Sequence, residues 1–286
     1  MWLVFSFLFS FFDSIQNTYF KHTAVKISPI LMAWSVLIVS SLCFSPLLLL
    51  GIPSLDFVFW FAVGARLIID SFAFVLFIKG VQTSPLSLTI PMTSLSPILS
   101  IATVFVFSRL LPSPLGFFGV LISVAGMYLL HFDHDTKHLL SPFYAIKKEK
   151  GVLFVTVASI LWSVVAALQK LSIDHSDVYF YTAFFQLFWA ICFTPVAYFS
   201  NKKGFLALFQ RKSWKILLTG GTLDAIKMLL HNLAYALTIP AYVNSIGNTS
   251  ILLSSVFGAI LFKEKIKNHF WPIILIILGI TCILFG

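Results

Sequence analysis

Apolar residues run along this chain in long unbroken stretches, with polar residues gathered in the short gaps between them. Read against turn and charge punctuation, the runs predict ten segments, at residues 2–20, 29–50, 57–78, 84–107, 115–130, 152–173, 178–199, 214–236, 241–262 and 270–285. A helix needs about 20 apolar residues to cross a bilayer, whereas a membrane strand needs about 10 and alternates polar with apolar positions. These runs are too long and too uniformly apolar for strands. The expected fold is therefore an all-α integral membrane protein of ten transmembrane helices. Only His131 to Lys150 is clearly hydrophilic and longer than a tight turn, and it falls almost at the midpoint of the chain.

That position suggests duplication. Ser14 and Lys21 keep their spacing on Ser163 and Lys170, a shift of 163 − 14 = 149, and Thr93-Ser94 falls on Thr249-Ser250 at 249 − 93 = 156. The second shift sets Pro91 opposite Gly247 and Met92 opposite Asn248. The last segments of the two halves align as Gly119-x6-Gly126 with Pro272-x6-Gly279. The expected organisation is a first five-helix repeat over 1–131, a hydrophilic linker over 132–150 and a second five-helix repeat over 151–286. Five crossings is an odd number, so the second copy must enter the bilayer the opposite way round. Such inverted-topology repeats belong to carriers.

At this level the chain resembles a known family. "PLSLTIPMTSLSPIL" in the fourth segment, "SPLGFFGVLISVAGMYLL" ending the first half and "LFKEKIKNHFWPIILIILGI" joining the last two segments look like the EamA branch of the drug/metabolite transporter superfamily. The resemblance covers the whole chain and implies metabolite or drug export. In that family the fourth helix of each repeat tends to end in a carboxylate. Glu264 matches in the second half, whereas "FSRLLPSP" has none in the first.

Composition sharpens the class. The 286 residues are 59% hydrophobic and 10% charged, with a mean hydropathy of +0.98, against roughly 25% charged residues in water-soluble domains. Cys43, Cys192 and Cys282 each stand alone in an apolar run, which supports neither a disulfide framework nor a metal site. No basic stretch precedes Trp2 and no cleavage-site pattern follows, so the first segment is expected to stay in place. The net charge of +9 does not point to nucleic acid, because the basic residues stand singly or in small groups at the ends of apolar runs. Of the 19 basic residues, 15 fall in one set of alternate loops, Arg109 and Lys170 in the other set, and Arg66 and Lys227 within segments. By the positive-inside rule both termini then lie outside the cytoplasm. The resemblance implies termini inside; the tally prevails here because short loops are where the rule is strongest.

Charges at bilayer depth carry the most information, since each costs about 2.5 to 3.5 kcal/mol on insertion scales. In the third segment Arg66 and Asp70 stand at i, i+4. In the eighth, Asp224, Lys227, His231 and Tyr235 form one stripe. At the shift of 156 Arg66 lands on Thr222 and Lys227 on Ser71, so these charges are not copied between halves. One reading makes them internal ion pairs that let the helices insert. The other makes them the lining of a polar cavity, where Arg66 docks a carboxylate or phosphate through its planar fork and Asp70 or Asp224 holds an amine or a proton. His231 titrates near neutrality but is also an ordinary packing partner.

The fourth segment is broken by Thr89, Pro91, Thr93, Ser94, Ser96 and Pro97, and the ninth by Asn244, Ser245, Gly247, Asn248, Thr249, Ser250, Ser254 and Ser255. Matched interruptions point to a midplane site, which makes Thr93, Asn244 and Asn248 candidate ligands. In the first segment Asp13, Gln16 and Asn17 share a face, and Asp13 is a further candidate proton carrier beside Asp70 and Asp224. Trp162, Val165, Ala166 and Gln169 occupy the corresponding face of the sixth segment. Lys21 and Lys170 end their helices and are expected to snorkel or to cap carbonyls. The central His131, Asp133, His134, Asp135 and His138 could ligate a metal, but a hydrated linker has the same composition. No nucleotide motif, phosphate-cradling loop or Ser/His/Asp arrangement is visible, and no cofactor is called for.

The expected function is a secondary transporter in a bacterial cytoplasmic membrane. It would move a small polar metabolite, anionic or zwitterionic, by alternating access, with membrane lipid as its other partner. The rivals are a carrier or flippase for a lipid-linked or phosphorylated headgroup held by Arg66 and Lys227, and an intramembrane transferase using His231 and Asp224.

Overall fold

The computed structural model describes residues 1–23, 28–84, 86–131, 140–208, 214–262 and 270–286, and among these no strand occurs. The most hydrophilic part of the 132–150 linker, Glu264, and the basic residues Lys26, Lys137, Arg211, Lys212, Lys263, Lys265 and Lys267 lie outside the described residues. So do Asp133, His134, Asp135 and His138 of the metal candidate, together with the side chain of His131.

Helices occupy the apolar stretches and stop where local chemistry says they should. Ser28 accepts from the Leu31 amide ahead of Pro29, whose fixed φ suits a first turn, and Pro29–Phe44 follows. Asp177 accepts from the amides of Tyr179 and Phe180 and opens Val178–Ser200. Ser96–Ser108 ends at Arg109, which adopts the left-handed conformation at φ 55. Among the described residues five spans are long and apolar enough to cross a membrane: Pro29–Leu50, Phe57–Thr83, Ile90–Ser108, Lys150–Asp174 and Val178–Ser200. Trp2–Thr23 and Trp214–Leu237 are as long but less apolar, because they carry Asp13, Gln16, Asn17, Asp224, Lys227 and His231.

The burial pattern is that of a lipid-embedded chain. On Phe57–Thr83 the enclosed stripe is Ala62, Val63, Arg66, Asp70 and Ala73, while Trp60, Phe61, Ile68 and Phe72 point outward. Water would favour the reverse arrangement, with the charges out and the aromatic rings in. An apolar outer face around an interior holding the charges is what hydrocarbon solvent selects. The chain is a multi-pass membrane protein.

The chain forms two compact units, and neither coincides with a half of the sequence. The first comprises Met1–Phe59, Ile173–Leu237 and Ser250–Ile266; the second comprises Trp60–Ser172, Thr238–Thr249 and Lys267–Gly286. In the first, Trp2–Thr23 packs on Trp214–Leu237 and on Ser250–Phe262, and Pro29–Phe44 packs on Trp214–Leu237 and Val178–Ser200.

In the second unit Pro114–His131 lies along Phe270–Phe285 through glycine. A Cβ on Gly119 would come within 2.6 Å of the Gly279 carbonyl oxygen, and one on Gly126 within 2.9 Å of the Pro272 oxygen. Close backbone approach of this kind is what small residues permit between membrane helices. Gly119 corresponds in sequence to Pro272, and Gly126 to Gly279. Exchanging the two halves therefore turns each of these contacts into the other.

The fourth and ninth segments are broken where their composition said. The fourth runs as Leu86–Thr89, a 3-10 stretch Ile90–Leu95 and then Ser96–Ser108. The ninth runs as Pro240–Gly247, a turn at Asn248 and Thr249, and then Ser250–Phe262. The turn falls on Met92-Thr93 under the shift of 156. The same local bond recurs there: the Thr93 hydroxyl donates to the Ile90 carbonyl at 2.7 Å, and the Thr249 hydroxyl donates to the Ile246 carbonyl at 2.7 Å.

Lys170 is buried, with 6% of its surface exposed, so of the two roles expected for it snorkelling is ruled out and capping of carbonyls stands. It lies inside the long Lys150–Asp174 helix, which continues beyond it to Asp174.

Candidate functional site

The first unit concentrates its polar side chains where Trp2–Thr23, Pro29–Phe44, Val178–Ser200 and Trp214–Leu237 converge. Lys227 is the hub. Its Nζ lies 3.0 Å from Asp13 Oδ1 and 3.4 Å from Asp224 Oδ1. The Asp224 contact is the intrahelical i, i+3 pair that spacing allowed. The shorter contact reaches another helix, so the reading of Asp224 with Lys227 as a self-contained pair is incomplete.

Both carboxylates have further partners. Asn17 Nδ2 donates to Asp13 Oδ2 at 2.9 Å, and the Ser250 hydroxyl also bonds Asp13. Gln186 Nε2 donates to Asp224 Oδ2 at 3.0 Å and to Ser40 Oγ at 2.7 Å. Near this network Gln16 Nε2 donates to the Gly220 carbonyl at 2.8 Å, and Asn232 Nδ2 donates to Thr182 Oγ1 at 2.9 Å. Two carboxylates share one ammonium, so with all three groups ionised the cluster carries one net negative charge.

Further along the same helix His231 packs between two rings, with centroids 4.4 Å from Phe9 and 4.3 Å from Tyr235. Tyr235 is 1% exposed. This is the packing arrangement that a lone helical histidine adopts when it fills space.

The second unit holds the other charged pair. Arg66 Nε stands 3.8 Å from Asp70 Oδ2, an ion pair rather than a hydrogen bond, and both residues are buried. Trp162 Nε1 donates to Asp70 Oδ1 at 3.2 Å, and the Trp162 ring packs on Phe77 at 5.2 Å. Trp162 was foreseen on the polar face of its segment, though its use as a donor to Asp70 was not. In the same unit Pro240–Gly247 packs against Ser96–Ser108. Thr93, Asn244 and Asn248 are each half-buried at the two breaks. The Thr93 hydroxyl is turned onto its own helix, and the Asn248 backbone amide donates to the Asn244 carbonyl at 3.0 Å.

The sequence placed Asp224 with Lys227 on one stripe and Asp13 apart from them, and the structure brings the three together. The sequence reading missed Gln186 and Ser40. Gln186 had a usable signal, since it is the one amide side chain in a segment that otherwise reads as aromatic and aliphatic. Ser40 had none, because a serine in a membrane helix is ordinarily satisfied by its own backbone.

Residues 149–285 match the sequence profile of the EamA-like transporter family. No curated protein matches the chain. Among solved structures, a crystal structure described only as that of a protein is similar at a TM-score of 0.75 and 13% identity, covering 99% of this chain and 97% of that one. At this identity the likeness is one of fold.

Proposed function

We propose, from the match of residues 149–285 to the EamA-like transporter family, that the protein is a secondary transporter of a small polar metabolite, working by alternating access. The observation that carries the reading is the Asp13, Lys227, Asp224 and Gln186 network, a charged assembly enclosed by helices whose outer faces are apolar. A scaffold with no solute to move has no use for so costly a group.

In this reading ten helices cross a bacterial cytoplasmic membrane as two inverted five-helix repeats, with both termini outside and export as the direction. The mirrored contacts of Gly119 with Gly279 and Gly126 with Pro272, together with the matched bonds of Thr93 and Thr249, support the repeat. Arg66 takes the anionic end of the cargo, and Thr93, Asn244 and Asn248 supply polar contacts at the helix breaks. One of Asp13, Asp70 and Asp224 carries the coupling proton. The cargo is anionic or zwitterionic, since the planar fork of Arg66 suits a carboxylate or a phosphate.

The rivals gain less. A phosphorylated or lipid-linked headgroup would want Lys227 as an anchor, yet that ammonium is already held by two carboxylates. An intramembrane transferase would want His231 as a base, yet its ring lies between Phe9 and Tyr235. The test is flux. Purified protein in liposomes is expected to move an anionic or zwitterionic metabolite, such as an amino acid found by thermal-shift screening, down an imposed gradient. No flux above that of empty vesicles across such a screen would sink the reading.

A further inference from the structure

Resting on the transporter reading, we infer that Asp13 is the carboxylate that takes the coupling proton, and that Lys227 passes wholly to Asp224 when it does. Hydrogen-bond logic separates the two aspartates. The single Ser40 hydroxyl hydrogen goes to the Leu37 carbonyl, 3.3 Å away, so Ser40 meets Gln186 as an acceptor. This fixes the Gln186 amide with its nitrogen toward both Ser40 and Asp224. Asp224 then faces an NH2 group on one oxygen and an ammonium on the other, both of which can only donate. A proton on Asp224 finds an acceptor only if the Gln186 amide turns over and the Ser40 hydroxyl leaves the Leu37 carbonyl to donate to it, two coupled rearrangements.

Asp13 is placed differently. Besides Lys227 its partners are the Asn17 amide and the Ser250 hydroxyl. A hydroxyl rotates to accept as readily as to donate, and an amide can turn its oxygen inward. A protonated Asp13 therefore keeps its hydrogen bonds. It is also the more accessible of the two, with 19% of its side chain exposed against 8% for Asp224.

The ionisable groups around Asp13 are few. Lys227 and, beyond it, Asp224 face it from Trp214–Leu237, with His231 one turn further along against Phe9. Ser250–Phe262, the other helix packed on Trp2–Thr23, contains no ionisable residue.

The step balances simply. One proton from water adds to an Asp13 oxygen, no other covalent bond changes, and the cluster passes from one net negative charge to none. Lys227 with Asp224 is then a neutral intrahelical pair. The ionic tie from Trp2–Thr23 to Trp214–Leu237 is released, while Asp224 stays tied through Gln186 to Val178–Ser200 and through Ser40 to Pro29–Phe44.

Infrared difference spectroscopy of the full chain in lipid, between alkaline and acid buffer and without any cargo, reads this directly. We expect one buried protonated-carboxyl band on acidification. Asp13→Glu should displace it, Asp224→Glu and Asp70→Asn should leave it in place, and Asp13→Asn should abolish it. A band displaced by Asp224→Glu, or unmoved by Asp13→Glu, overturns the assignment. Should Asp13→Asn fail to fold, the two glutamate variants decide alone. Because no cargo is present, the outcome is separable from a failure of the transport reading in the flux assay.

Discussion

Lys227 lies 3.0 Å from Asp13, on a helix 214 residues away in sequence, and 3.4 Å from Asp224 on its own helix. The contact between segments is the shorter one, so the lysine acts between helices as well as within one. Its removal should therefore be severe. Lys227→Met leaves two enclosed carboxylates without a cation, and breaking a buried pair in this way costs on the order of 3 kcal/mol. Thermal unfolding in detergent should show the loss. Adding Asp13→Asn and Asp224→Asn to Lys227→Met should recover much of it, because no charge then remains to be compensated. A Lys227→Met protein as stable as the wild type would mean that the cluster is solvated.

Much of the fold was legible because period and length are properties of the sequence itself. Runs of about 20 apolar residues can be satisfied in lipid only as helices, and the breaks at Pro91 and at Asn248 follow from proline geometry and from polar residues that compete for backbone bonds. The site was legible only in part. Spacing along one helix could place Asp224 with Lys227 and Arg66 with Asp70, since i, i+3 and i, i+4 neighbours meet wherever the helix goes. The Asp13 to Lys227 contact depends on which helices pack together, and periodicity does not encode that.

Close packing of Pro114–His131 on Phe270–Phe285 gives a second prediction. A methyl group at Gly279 would stand 2.5 Å from the Ser123 backbone nitrogen and 2.6 Å from the Gly119 oxygen, both backbone atoms that cannot swing aside. Overpacking of this kind costs about 1 to 3 kcal/mol. Gly279→Ala should lower the melting temperature, whereas Gly64→Ala, with nothing within 4 Å of its new carbon, should not. Equal effects of the two substitutions would remove the helix contact as the cause.

The loops before Phe57–Thr83 and after Lys150–Asp174 meet in an exposed hydrogen bond, His175 Nδ1 with Asp56 Oδ2 at 2.6 Å. The Phe59 backbone N–H, and next to it the His175 ring, hold the Asp56 carboxyl below its ordinary range. A depressed carboxyl contributes stability above its unfolded value and loses it as the pH falls through the folded one. The difference in melting temperature between wild type and Asp56→Asn should thus be widest near neutrality and close on acidification. A difference that stays constant with pH would show that the charge is not involved.

Orientation follows from the basic residues. In the sequence 15 basic residues fall to one set of alternate loops, against Arg109 and Lys170 to the other. A phosphatase that is active only outside the cytoplasm, fused after Gly286, should therefore be active, and a fluorescent protein that matures only in the cytoplasm should be dark. The reverse pair of results would place both termini inside.

Arg66 and Asp70 allow the sharpest separation of structure from function. If Arg66 serves only to neutralise Asp70, exchanging both for leucine should be tolerated, since apolar replacement of a buried pair is often neutral or stabilising. The structure adds a condition. Trp162 donates its indole hydrogen to Asp70, and losing the acceptor would leave a buried donor unsatisfied at a cost of about 1 to 3 kcal/mol. The clean variant is therefore Arg66→Leu with Asp70→Leu and Trp162→Phe, which removes charge and donor together. We expect it to fold with wild-type stability in detergent and to carry no cargo in liposomes. Arg66→Lys should fold and fail as well, because an ammonium cannot reproduce the planar fork that grips a carboxylate. Transport at the normal rate by the triple variant would take Arg66 out of the binding site and leave the pair as a device for inserting the Phe57–Thr83 helix.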